Sequence, residues 1–174
     1  FETRWAPGLS ASAGPRYLGF VTGGATPAAV AGDWLTSVFD QNTITVQDSA
    51  ASDLERETVR WVLDLLDLPD DFSGAFVTGA TMSNLTGLAL AREWLGDRLG
   101  VSVSTEGVAA LGGVVVLSGA AHSTVSKALS VLGLGRDSLQ PVALLPDRDA
   151  VDVDALRTAL REQDGRPVIV VANA

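Results

Sequence analysis

Cysteine is absent from the 174 residues, so neither a disulfide nor a thiolate metal ligand can come from this chain. Cations are scarce. Lys plus Arg number 12 against 21 Asp plus Glu, a formal net charge of −9. A nucleic-acid surface needs clustered Lys and Arg, and this balance argues against such a partner. Lysine is reduced to Lys127 alone, which leaves no polybasic patch for an anionic membrane. No apolar run approaches the length that crosses a bilayer, so no membrane partner is expected. Nor does a charged segment with an apolar core precede a cleavage site, and a cytoplasmic protein is the default expectation. Histidine is also single, His122, and with no cysteine to join it no metal site is expected.

The residues that are abundant describe a packed protein. Hydrophobic residues make up 47% of the chain and glycines number 18, which fits a globular fold with many tight turns. The length is enough for one domain with a core of its own. The chain opens on Phe1 without a Met and closes in the apolar run 168–174, which reads as a strand cut at its exit. A fragment of a longer protein is therefore expected.

Residues 1–24, with Pro7, Pro15 and five glycines, read as an extended arm with turns. Thr26-Pro27 supplies a capping hydroxyl and a first-turn proline for a helix through Val30, Trp34, Leu35 and Val38 to about Asp40. Residues 41–48 are polar and predict a loop. Ser49 or Ser52 caps the next helix, whose Leu54, Val62, Leu63, Leu65 and Leu66 form one stripe. Gly74-Ala75-Phe76-Val77 predicts a buried strand, followed by a helix from about Met82 to Leu99 that stops at Gly100. Residues 101–113 predict a loop or frayed helix end. Residues 114–118, 141–145 and 167–172 predict further strands, the first apolar on both faces. Helices carrying Val125, Leu129 and Leu132, and then Leu156, Ala159 and Leu160, alternate with them, the second capped by Asp152 or Asp154. Alternation of this kind predicts an α/β layer with a mostly parallel sheet and helices on both faces.

The most informative stretch is Thr78-Gly79-Ala80-Thr81-Met82-Ser83-Asn84-Leu85. A strand that empties into a helix through small and hydroxylated residues gathers free N–H groups and the positive end of the helix dipole at one point, which suits phosphate. On the turn alone, a side-chain cap from Thr81 or Ser83 is the simpler reading. A second small-residue turn, Gly119-Ala120-Ala121-His122-Ser123-Thr124, follows the strand at 114–118. Parallel sheets bind ligands at the carboxyl ends of their strands, so both turns can face one site. A Ser-His-Asp hydrolase needs Gly-x-Ser-x-Gly, which does not occur, and Thr124-x-x-Lys127 matches a Ser-x-x-Lys nucleophile only superficially. What survives for His122 is a flat imidazole beside a phosphate site, able to lie against a planar ring.

The segment from Gly79 to Leu85 with Ala91-Arg92 resembles the phosphate-binding turn of the group II pyridoxal-phosphate decarboxylases, which include the aromatic amino acid and glutamate decarboxylases. Ala121-His122-Ser123-Thr124 with Lys127-Ala128 is similar to the family segment whose histidine stacks on the cofactor ring. Gly14-Pro15-Arg16-Tyr17-Leu18-Gly19-Phe20-Val21-Thr22 resembles its HPRFFGF segment, with Gly14 in place of the histidine. Ser49-Ala50-Ala51-Ser52-Asp53-Leu54-Glu55 resembles SPAxTELE without the proline. The four segments keep the family's order.

The resemblance implies a type I aminotransferase-like large domain with a pyridoxal 5'-phosphate cofactor, in a homodimer. Residues 1–48 would be a dimer-wrapping arm and helix, and 49–174 the first part of the cofactor-binding large domain. The implied reaction is decarboxylation of an aromatic or related L-amino acid to the amine and carbon dioxide, through an external aldimine and a quinonoid. Ala80 and Thr81 would hold the phosphate, His122 would cover the ring as the catalytic residue, and Phe20 and Thr22 would line the substrate end. The family's imine lysine, pyridine-nitrogen aspartate and mobile loop all fall beyond Ala174, so this stretch alone is expected to be inactive. Lys127 does not stand where the family places its imine lysine. Two neighbouring readings stay open: another type I pyridoxal-phosphate enzyme, such as an aminotransferase or carbon–carbon lyase, and a phosphate-binding α/β module without catalysis.

Overall fold

A computed structural model describes residues 1–41 and 49–172, which pack as two units, Phe1–Ala75 and Phe76–Ala174. The loop expected at 41–48 lies, from residue 42 on, outside the described residues.

The first unit begins with turns and a short 3-10 helix, Ala6–Gly8. Two helices follow, α1 (Pro27–Phe39) and α2 (Ala51–Leu65). Helix α1 starts as its sequence dictates. The Thr26 hydroxyl accepts from the Ala29 N–H at 3.2 Å, and Pro27 takes the first position, where no N–H is needed. The helix ends where Asp40 turns left-handed. At α2 the Ser49 hydroxyl accepts from the Ala51 N–H at 3.1 Å. Neither helix buries a single residue: Trp34, Leu35 and Val38 on α1, and Leu54 and Leu65 on α2, are all more than half exposed. The unit has the amphipathic stripes of packed helices without a core of its own.

The second unit is an α/β layer. Helix α3 (Ala80–Leu99) leads through the short α4 (Val103–Glu106) and a 3-10 turn to β1 (Val115–Ser118). Then come α5 (Ser123–Val131), β2 (Leu139–Pro141), α6 (Val153–Arg161) and β3 (Val168–Val171). The sheet order is β2-β1-β3, and both pairings are parallel. β1 is buried at every residue because both of its faces are covered. Val116 points into one cluster with Leu88, Val125, Ala128, Leu129 and Ile169. Val115 and Leu117 point into the other, which Leu156 and Ala159 of α6 complete. Stepping from β1 to β2 and then back across to β3 puts α5 and α6 on opposite faces, as a common crossover hand requires. Burial of side chains such as Val116 (0% exposed) and Leu117 (1%) is worth about 1.5–3 kcal/mol each and anchors the layer.

Four expectations are corrected. Phe76-Val77 is not a strand, and both residues are exposed at 59% and 40%; no described strand lies beside it to complete a ladder. The strand expected at 141–145 is Leu139–Pro141 instead. The Val142 N–H makes one last bond to the Ser118 carbonyl, and the chain then folds back, with Leu144 bridging Val151 antiparallel. Leu160 of α6 faces outward at 41% exposure, while Leu156 and Ala159 pack inward as expected. Helix α3 starts at Ala80, two residues before the expected Met82. Asp152 caps α6 as predicted, accepting from the Asp154 and Ala155 N–H groups at 2.9 and 3.1 Å.

Gly96 sets the close return of the chain after α3. A Cβ there would lie 2.7 Å from both the Val101 carbonyl oxygen and Val103 Cγ2. Alanine would gain about 1 kcal/mol in helix propensity, against overpacking of about 1–3 kcal/mol on a backbone atom that cannot swing away. Gly96→Ala should therefore lower stability in urea denaturation, and a midpoint at or above wild type would contradict the packing described.

Candidate functional site

Helix α3 begins without a side-chain cap. Its N-cap residue is Gly79, at φ 151°, a conformation that L side chains rarely adopt although the space around it is open. Thr81 and Ser83, which the alternative reading of the turn makes caps, are inside the helix, because it starts two or more residues earlier than capping by either hydroxyl requires. The first N–H to find a partner is that of Ser83, on the Gly79 carbonyl at 3.0 Å. The N–H groups of Ala80, Thr81 and Met82 have no partner among the described residues, and all three residues are exposed. No acidic side chain occupies this first turn. The N-termini of α1 and α6, in contrast, are closed by Thr26 and Asp152. The longest helix of the chain thus presents an open, positive end, the arrangement that binds anions.

His122 is the N-cap of α5. Its Nδ1 accepts from the Thr124 backbone N–H at 3.3 Å and lies 2.8 Å from Thr124 Oγ1. That hydroxyl in turn lies 2.7 Å from Asn84 Nδ2, on the second turn of α3. A chain of three side chains therefore ties the histidine loop to the open helix end. Eight residues further along each helix, Arg92 Nη1 donates to the Leu132 carbonyl at 3.1 Å, and Arg92 is held from behind by Glu93. Both cross-links join residues 40 apart in sequence, so α3 and α5 run parallel and in step. Eight residues are about 12 Å of helix, and over that length Leu88 and Ala128 fill the seam.

Parallel helices in step bring their N-termini to one edge. Thr81 is three residues before Asn84 and so shares its side of α3, about one turn nearer the open end. Ala80, Thr81 and His122 are thereby brought to a single region at the carboxyl end of β1. Phe20 and Thr22 belong to the first unit. There Phe20 is 94% exposed, and the Thr22 hydroxyl donates to the Gly19 carbonyl at 3.2 Å. Asn84 and Thr124 carry the geometry of the site, yet the sequence reading gave them no role. The available signal was the position of Thr124 two residues after a helix-capping histidine.

The comparisons with known proteins agree with this architecture. The model of the pyridoxal-dependent decarboxylase conserved domain matches residues 1–174. The chain is 30% identical over 164 residues to an aromatic-L-amino-acid decarboxylase of Bacillus atrophaeus, a match covering 92% of this chain and 32% of that protein. It is 33% identical over 151 residues to an L-2,4-diaminobutyrate decarboxylase of Rhizobium meliloti, covering 84% and 28%. The chain therefore spans about a third of the length of these relatives. In fold it is similar to a Catharanthus roseus tryptophan decarboxylase solved in complex with L-tryptophan, with a TM-score of 0.83 and 19% identity over 97% of this chain and 36% of that one. With the match running through its whole length, the chain belongs to the pyridoxal-dependent decarboxylase family.

Proposed function

We propose that the intact protein decarboxylates an L-amino acid, aromatic or related, to its amine and carbon dioxide, and that this chain supplies the phosphate grip and the ring cover of its pyridoxal 5'-phosphate site. The observation that carries the reading is the hydrogen-bonded link from His122 through Thr124 to Asn84, on the helix whose N-terminus is open.

The residues present fit such a cofactor. Three N–H groups without partners among the described residues and the positive helix end match a phosphate, and Gly79 keeps the approach free of side-chain bulk. The exposed hydroxyls of Thr81 and Ser83 add donors within the same turn. His122 has one ring edge fixed by Thr124 while the residue as a whole stays exposed, which leaves an imidazole face available to lie on a pyridine ring. When bound, pyridoxal phosphate supplies an electron-accepting ring for the pair released as the carboxylate bond breaks. The part of this chain is to bind and orient. The N–H groups of residues 80–82 and the Thr81 hydroxyl fix the phosphate end, and His122 holds the plane of the ring, restricting its tilt. We assign Lys127, exposed on α5, no part in holding the cofactor.

We place Phe20 and Thr22 at the substrate end. The apolar side chains of Phe20 and Val21 are open, and both residues sit at φ 55°, which for a non-glycine costs about 1–2 kcal/mol. That combination supports a segment that takes its working form against another surface. We also propose a homodimer: the stripes of α1 and α2 hold apolar side chains with no core beneath them, and burial against a second copy would provide one. The names of the relatives support an amino acid substrate, with an aromatic one favoured by the Bacillus relative.

Three outcomes follow for the intact protein. Thr81→Ala removes a hydrogen bond to a charged group, worth about 1.5–3 kcal/mol, and should weaken pyridoxal phosphate binding at least about tenfold in a fluorescence titration; an unchanged affinity would count against the phosphate grip. His122→Ala should lower turnover more than it lowers cofactor affinity, and equal rates would take His122 out of the site. Sedimentation should show a dimer at micromolar concentration, whereas a monomer retaining full activity would refute the arm's proposed role.

A further inference from the structure

We propose that Asn84 is a positioning residue: acting through Thr124, it fixes the tautomer of His122 so that the ring proton sits on Nε2 and Nδ1 carries none. What the ring faces rests on the decarboxylase reading; the tautomer does not.

The assignment starts from the one group whose direction cannot be reversed. The Thr124 backbone N–H is only ever a donor, and it meets Nδ1 at 3.3 Å, so Nδ1 accepts. Thr124 Oγ1 lies 2.8 Å from the same nitrogen and must therefore give its proton to it. A hydroxyl has one proton, so towards Asn84, at 2.7 Å, Oγ1 can only accept, and the amide nitrogen rather than the amide oxygen must face it. Each direction is dictated by the one before. Thr124 is 8% exposed and Asn84 is half-buried, which limits the water that could substitute for either partner.

The consequence reaches the site. With Nδ1 closed, His122 turns outward an N–H donor at Nε2 and a ring plane that cannot rotate without breaking two hydrogen bonds. Asn84 stands one turn after Thr81, so the phosphate grip and the ring cover are registered to each other through this chain of bonds. A role confined to packing α3 on α5 would not care which way the protons point, and that separates the two accounts. Asn84→Asp keeps size and reach but presents an ionised acceptor in place of a donor. Thr124 then turns its proton towards Asp, and Oγ1 becomes an acceptor that invites a proton onto Nδ1.

The test is 15N NMR of the intact, histidine-labelled protein without added cofactor, with the His122 nitrogens identified by their loss in His122→Gln. Wild type should show Nδ1 at an unprotonated shift and Nε2 at a protonated one. Asn84→Asp should move the population towards Nδ1–H, and Thr124→Ser, which keeps the hydroxyl, should match wild type. Thr124→Val, matched in shape, should give a mixture of tautomers, and it decides the matter if Asn84→Asp does not fold. An Nδ1–H tautomer in wild type, or the wild-type pattern in both Asn84→Asp and Thr124→Val, would overturn the proposal. Failure of wild type to bind pyridoxal phosphate would remove the decarboxylase reading and leave the tautomer result standing.

Discussion

The second unit depends on one constraint: α3 and α5 lie parallel and in step, cross-linked at both ends of the seam. Asn84 meets Thr124 at the start, Arg92 meets the end of α5 at Leu132, and Leu88 and Ala128, between them in sequence, belong to one buried apolar cluster. Neither polar contact is strong alone. A net hydrogen bond is worth about 0.5–1.5 kcal/mol, and most of the stabilisation comes from the apolar seam. What the polar pair adds is registry. Sliding one helix by a turn, about 5.4 Å, would break both contacts.

Registry is what makes the site possible. A histidine placed on the loop after β1 is useful to a phosphate site only if the helix that grips the phosphate starts at the same edge. The sheet provides that edge, since β1 is paired in parallel on both sides and its exit is flanked by both neighbours. The contrast between helix ends points the same way. Thr26 and Asp152 close the N-termini of α1 and α6, while three N–H groups of α3, behind a glycine, have no partner among the described residues.

Much of this was legible in the chain itself. Thr26-Pro27, Asp152 and the two-faced apolar run at 114–118 each combine a local preference with a tertiary outcome, so their elements fall where the residues say. The small-residue turns and His122 offered a candidate site, and family resemblance in four segments pointed to the family whose model matches the chain. Failures came where long-range structure decides. Phe76-Val77 has the composition of a strand, but a strand is defined by its neighbours. Residues 142–145 are wholly apolar, yet the backbone turns to meet Val151. Thr81 and Ser83 have the chemistry of caps, but the helix starts before them. Asn84 and Thr124 were hidden for a similar reason: a bond between residues 40 apart leaves no local signature.

The central claim is that one ligand is held between the open end of α3 and the imidazole of His122. A crystal structure of the intact protein with pyridoxal phosphate tests it most directly. The account predicts the phosphate against the N–H groups of residues 80–82 and the His122 ring stacked on the pyridine. A phosphate bound elsewhere, or an imidazole turned away from the ring, would contradict it.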